Sequence, residues 1–119
     1  MSKYADVYLL PIRTENVADY KKIATKAGKI FIKHGALKYR EYIASDLDAK
    51  GVIPFPKNLK LKEGETVIFA SVEFKSESHR NSVMTKIMAD PDLMPAKDKP
   101  IPFDYRRMVY GGFKILVDL

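Results

Sequence analysis

Apolar residues recur along this chain at two alternating periods, and together they sketch one unit written twice. Residues 3–11 (KYADVYLLP) are a β-branched and aromatic run closed by Pro11, which predicts a strand. Tyr20, Ile23, Ala24, Ala27, Ile30 and Phe31 then follow at the spacing of one helix face and predict a helix over 15–34. Thr14 is placed to cap that helix, Glu15 and Asp19 suit its positive end, and Gly35 is placed to stop it. Residues 36–45 (ALKYREYIAS) predict a second strand and 66–74 (TVIFASVEF) a third. A second helix is expected over 77–89, capped by Ser76, with Val83, Met84, Ile87 and Met88 on its apolar face. A last strand is expected over 107–118, where Gly111-Gly112 suggests a bulge or bend. This β-α-β-β-α-β order is that of a ferredoxin-like α+β fold, an antiparallel four-stranded sheet with two helices on one face.

Two connections are long. Residues 46–65 hold Gly51, Pro54, Pro56 and Gly64 but keep apolar content, and the alternation from Asn58 to Lys62 suggests a short strand there. Residues 90–104 carry Pro91, Pro95, Pro100 and Pro102, which rules out a regular element and predicts a loop or lid.

Strand alternation also assigns faces. Ala5, Val7 and Leu9, with Ile68, Ala70, Val72 and Phe74 and with Val109, Phe113, Ile115 and Val117, form a uniformly apolar set expected to meet the helices. The mixed set would then leave Tyr8, Leu10, Phe69, Tyr110 and Leu116 uncovered, because two helices cover only one face. An apolar patch of that size is rarely left in water. The expectation is a homodimer packed sheet to sheet about a two-fold axis, a dimeric α+β barrel.

At 119 residues the chain is read as a single domain, 1–119, able to bury roughly 65% of its unfolded surface. Cysteine is absent, which excludes disulfides and thiolate chemistry. No run approaches the roughly 18 apolar residues of a membrane span. Asp6 interrupts the region where a signal peptide would be apolar, so a cytoplasmic protein is expected. The net charge of +6 permits anionic partners without requiring them. Lys22, Lys26, Lys29 and Lys33 form one stripe opposite the apolar face of the first helix, which reads as a solvated surface.

The two histidines are the candidate catalytic groups. His79 falls in the first turn of the second helix, where the positive helix end favours the neutral imidazole, a form suited to a general base. His34 extends the buried stripe of the first helix to its C-terminus. Against these roles stands a structural reading, in which both rings make packing hydrogen bonds. Tyr39, Arg107 and Tyr110 are candidate ligand-binding residues: the tyrosines could stack on a guest, and one of Arg106-Arg107 could point inward and hold an anion. The alternatives are core packing for the tyrosines and pairing with Asp104 or Glu41 for the arginine. No metal is expected, since Asp6, Glu41 or Glu73 would have to complete a site that has no local ligand spacing. No cofactor is expected either: G-x-G-x-x-G, P-loop and G-x-S-x-G motifs are absent, and haem has nothing beyond a possible axial histidine.

The topology is shared with the RNA-recognition motif, whose exposed aromatics on strands one and three stack bases. Tyr8 and Phe69 partly echo that pattern, but Ser71 replaces the middle aromatic and Glu73 adds a negative charge. Nucleic acid is therefore disfavoured as a partner.

The segments HGALKY (34–39), FPKNLKLKEGETVIF (55–69), SHRN with KIMADP (78–81, 86–91) and PFDYRRMVYGGF (102–113) resemble the YbaA-like family of small bacterial proteins, a domain of unknown function. The resemblance runs over nearly the whole chain in the same order. It implies a ferredoxin-like dimeric α+β barrel in the bacterial cytoplasm and brings no reaction with it. The functional expectation is a homodimer that binds a small organic molecule between helices and sheet, as a cofactor-free monooxygenase or isomerase with His79 as base. The alternative is a non-catalytic ligand-binding or stress-related dimer.

Overall fold

The computed structural model describes residues 3–93 and 101–119. The element order is β1 (Tyr4–Arg13), α1 (Val17–Lys33), β2 (Lys38–Ile43), α2 (Phe55–Asn58), β3 (Glu65–Phe74), α3 (Glu77–Met88) and β4 (Val109–Lys114), with 3-10 turns at Thr14–Asn16, Pro91–Leu93 and Tyr105–Arg107. The strands form one antiparallel sheet in the order β2-β3-β1-β4. This is the expected ferredoxin-like α+β architecture, and its thin axis of 21 Å is that of one sheet under one helical layer.

Helix ends follow the local chemistry. The α1 C-terminus closes as a Schellman motif: the Ala36 N–H donates to the Phe31 carbonyl (3.0 Å) and that of Gly35 to Ile32 (3.1 Å). Gly35 takes φ +112°, which explains the glycine. Ser76 caps α3 by accepting from the His79 N–H at 3.1 Å. Thr14 does not cap α1. Its N–H and hydroxyl both bond the Gly64 carbonyl, fastening the start of the helical segment to the turn before β3.

Three further expectations are corrected. Residues 55–58 are a short helix, not a strand over 58–62, because Pro56 sits in its first turn, where a missing N–H is harmless. β1 runs past Pro11 to Arg13: pairing with β4 ends at Leu9, so Pro11 lies where β1 has a free edge. Pairing of Asp6 with Gly112 and Val7 with Gly111 runs on without a bulge. Of the proline-rich loop, residues 94–100, with Pro95 and Pro100, lie outside the described residues.

The largest correction concerns the sheet faces. Tyr4 lies opposite Phe74, Asp6 opposite Val72, Tyr8 opposite Ala70 and Leu10 opposite Ile68. Residues directly opposite in an antiparallel pair share a face. Tyr4, Val72 and Phe74 pack with Ile30, Val83 and Ile87 of the helices, so the even-numbered residues of β1 face the helices. Ala5, Val7 and Leu9, and Val109 and Phe113 of β4, face outward instead. The assignment of Ile68, Ala70, Val72 and Phe74 on β3 to the helix side holds. Uniform apolarity misled on β1 and β4. The polar set goes inside because its acids and hydroxyls find partners there, and the apolar set is left on the open face. The aromatic weighed for base stacking, Tyr8, faces the helices.

Candidate ligand cavity

α1 crosses the β2–β3 half of the sheet at close range. A Cβ on Gly28 would lie 2.7 Å from the Tyr39 ring, so only glycine allows this approach. Strand alternation turns Tyr39, Glu41 and Ile43 of β2 to the same side as Val72, Ala70 and Ile68. Glu41 is thereby a charged residue facing a helix, and it needs partners. It has two: the Tyr20 hydroxyl of α1 donates to its Oε1 and the Tyr39 hydroxyl to its Oε2. Burial, and then these bonds to Glu41, push both phenol pKa values far above their usual range. Both groups therefore stay protonated donors.

This polar centre borders a cavity of about 540 Å³. Its floor is Tyr8, Leu10, Ala70 and Val72, its roof Ile23, Ala27 and Ile30 of α1, and one wall Pro102, Phe103 and Met108. Phe31 lies 5.5 Å from the Tyr39 ring, and Phe103 meets Tyr20 edge-on at 5.7 Å. A second space of about 680 Å³ lies on the other flank of α1, against β2, and shares Tyr20, Tyr39 and Glu41 with the first.

The other half of the same sheet face is filled. Asp6, 1% exposed, accepts from the Tyr110 hydroxyl at 2.9 Å. Arg80 of α3 donates to Tyr4 (2.9 Å) and Tyr110 (3.3 Å), with its Nη1 3.9 Å from the Asp6 carboxylate. The Tyr4 hydroxyl lies 2.0 Å from where a Cβ of residue 112 would stand, which accounts for Gly112.

The residues singled out from sequence divide accordingly. Tyr39 borders the cavity. Tyr110 is committed to Asp6 and Arg80 and borders neither space, although its ring lies 4.9 Å from that of Tyr8. Arg107 grips Glu65 with two bonds of 2.6 and 2.9 Å and also the Lys60 carbonyl, which holds the Glu65 carboxyl down at about 2. Its partner is therefore neither Asp104 nor Glu41. His34 bonds the buried Asp90 at 2.7 Å. That bond, with help from the Asp92 N–H and Lys33, holds the Asp90 carboxyl at about 2. His79 accepts from the Lys75 N–H at its Nδ1 (3.0 Å) and packs edge-on against Phe74. Neither histidine lines either space, and both rings carry packing bonds of the kind set against catalysis above.

Sequence reasoning passed over Tyr20, read as part of the apolar stripe, placed Tyr8 on the uncovered face as a weighed base-stacking residue, and gave Glu41 only a weak metal or arginine-pairing role. A signal was present. In the alternation Tyr39-Glu41-Ile43 an acid occupies an inward position, and an inward acid requires donors.

The geometry defines a class: a two-layer ferredoxin-like protein with a tyrosine-rich hollow under one helix. Residues 3–105 match the family described as "Protein of unknown function (DUF1428)", and the chain belongs to that family. It is 34% identical over 116 residues to "Uncharacterized protein YbaA" of Escherichia coli strain K12, covering 98% of each chain, and equally to that of Shigella flexneri. Among solved structures, a dimeric ferredoxin-like protein from an uncultured marine organism aligns over 100% of both chains at a TM-score of 0.59 and 8% identity. At that identity the likeness shows the fold alone. Among the described residues, no helix is long and apolar enough to cross a membrane.

Proposed function

We propose that the protein is a cytoplasmic homodimer that binds a small organic molecule between α1 and the sheet. The observation that carries this reading is the cavity itself. At about 540 Å³ it exceeds the roughly 300 Å³ from which small-molecule sites run, and its apolar walls converge on a single polar centre at Glu41. Of the catalytic and non-catalytic roles, the geometry favours binding. The histidines stand outside the cavity, and proton transfer to a guest would fall to Glu41 rather than to His79 or His34.

The dimer reading is supported by the outward side of the sheet. Val7, Leu9, Phe69, Val109 and Phe113 share it, with Val109 and Phe113 about half exposed. Lys38 and Glu73 pair at one corner and Arg40 lies opposite Ser71, so the polar residues of this face gather toward β2. An apolar band of this kind along β1 and β4 suits a second copy packed about a two-fold axis. The marine structural neighbour is described as dimeric. Light scattering at low micromolar concentration should give twice the chain mass, and Leu9→Arg should give a folded monomer. A wild-type monomer would overturn the dimer.

Binding is tested by ligand-observed NMR with a fragment library, on wild type and on Ala27→Phe, which places a ring in the cavity. Fragments should bind wild type, and the variant should lose them while keeping its melting temperature. Fragments that bind both equally, or none that binds wild type, would sink the cavity as a site.

A further inference from the structure

We propose, resting on the cavity reading above, that the guest is an organic cation: an amine or methylated ammonium on an apolar body. The argument is a count of donors. Tyr20 and Tyr39 have both turned their protons onto Glu41, so they face the cavity with oxygen lone pairs. The carboxylate brings two more acceptor oxygens and a negative charge. The Tyr8 hydroxyl makes no hydrogen bond among the described residues and accepts as readily as it donates. This centre offers a guest acceptors and negative charge, so it suits a guest that brings positive charge, with N–H donors where it has them.

The walls point the same way. Tyr8, Tyr20, Phe31, Tyr39 and Phe103 all line the cavity, and aromatic faces attract cations through their quadrupole, most strongly where water is displaced. Among the described residues, the remaining charged residues on its lining are Lys26 and Asp92, one of each sign and both exposed; Lys21 and Lys29 border the second space on the other flank of α1, and neither bonds Glu41. The chain's net +6 acts at longer range, where salt screens it beyond about 8 Å. The raised phenol pKa values of Tyr20 and Tyr39, due first to burial and then to Glu41, fit a negative local field at this centre.

The test uses three probes sharing a phenyl ring: 2-phenylethylamine, 2-phenylethanol and phenylacetate, titrated calorimetrically into wild-type protein. The amine should bind at least tenfold more tightly than the alcohol, and phenylacetate should give no heat. Glu41→Gln should bring amine and alcohol within about twofold. A measurement on wild type alone does not depend on that variant folding. Above the amine's own pKa its affinity should fall, while the trimethylated analogue, charged at every pH, should hold. Alcohol or phenylacetate matching the amine, or an amine preference that survives Glu41→Gln, would overturn the cation assignment and leave the cavity reading standing. No probe binding at all would overturn both.

Discussion

The helix-facing side of the sheet carries two acid–tyrosine clusters, built alike and finished differently. At β1 and β4, Asp6 sits with Tyr4 and Tyr110, and Arg80 from α3 lies against all three. At β2, Glu41 holds Tyr20 and Tyr39 under α1, and no cation bonds it among the described residues. Around the first cluster Val83, Ile87 and Phe74 fill the space; beside the second lies a cavity of about 540 Å³. A sheet face covered by two helices need not be evenly packed. The half with its own counter-ion is closed, and the half whose acid is served only by hydroxyls is open.

The sharpest break of that comparison removes the counter-ion. Arg80→Ala leaves Asp6, 1% exposed, as an uncompensated buried carboxylate. Breaking a buried pair from one side costs about 3 kcal/mol or more. Urea unfolding should show that loss, and adding Asp6→Asn should recover part of it. Recovery is expected because the cluster is imperfect even when intact: Asp6 Oδ2 and Arg80 Nε have no partner among the described residues. A loss below about 0.5 kcal/mol would mean that the two clusters do not differ in kind.

The next effect tests how tightly the closed half is filled. Gly112→Ala sets a methyl where the Tyr4 hydroxyl now stands. Overpacking of this sort costs about 1–3 kcal/mol. Gly51→Ala serves as the control, since a Cβ there meets nothing within 4 Å and only its φ of +81° is strained. The Gly112 variant should melt lower than the control by at least the difference expected from overpacking, and equal melting temperatures would mean that the closed half is not tightly filled.

The order of the four strands and two long helices, and the helix ends at Gly35 and Ser76, were legible in the sequence because they rest on local chemistry, while the Thr14 cap and the short helix α2 were not. Gly35 and Ser76 act within a few residues of themselves, and the 3.6-residue stripe of α1 needs no knowledge of its partner. Sheet faces are not local. A one-residue choice exchanges every side chain between faces, and β1 offered an apolar set at 5, 7 and 9 against a polar one at 4, 6 and 8. Only the distant Arg80 and Tyr110 reveal why the polar set is inside. The candidate site suffered in the same way. Tyr39 was legible and Glu41 shares its face by alternation, but the donor from α1 that this acid requires, Tyr20, 21 residues away, is identified only by the fold. The histidines drew attention by residue type, and their partners, Asp90 and the Lys75 N–H, became visible only in three dimensions.

A smaller effect concerns the tie between the two helices. His34 at the end of α1 and Asp90 just past α3 hold the closed half together. The Asp90 carboxyl lies at about 2, below its ordinary value. A depressed carboxylate stabilises the fold above its unfolded pKa, near 4, and that contribution is lost as pH falls through about 2. Wild type should therefore lose urea resistance between about pH 4 and 2. Asp90→Asn should start lower, fall less, and converge with wild type in acid. Glu65, held at about 2 by Arg107, titrates in the same window, so the difference between the two proteins is the readout. Parallel curves would remove Asp90 from the account.

The smallest effect is expected at the open half. In Glu41→Gln the amide oxygen can still accept from one tyrosine, while the amide nitrogen cannot accept from the other. One hydroxyl must turn to the cavity or to water, at about 1 kcal/mol. Against this, the variant no longer confines a carboxylate beneath α1 without a paired cation, a cost the wild type carries. The two terms oppose each other, so the change in stability should stay within about 1 kcal/mol, well short of Arg80→Ala. A loss as large as that at Arg80 would mean that Glu41 is a structural linchpin, and that the hollow beside it is a packing defect. A small loss means that the acid is held beside open space at little gain to the fold, the arrangement expected of a group kept for a guest.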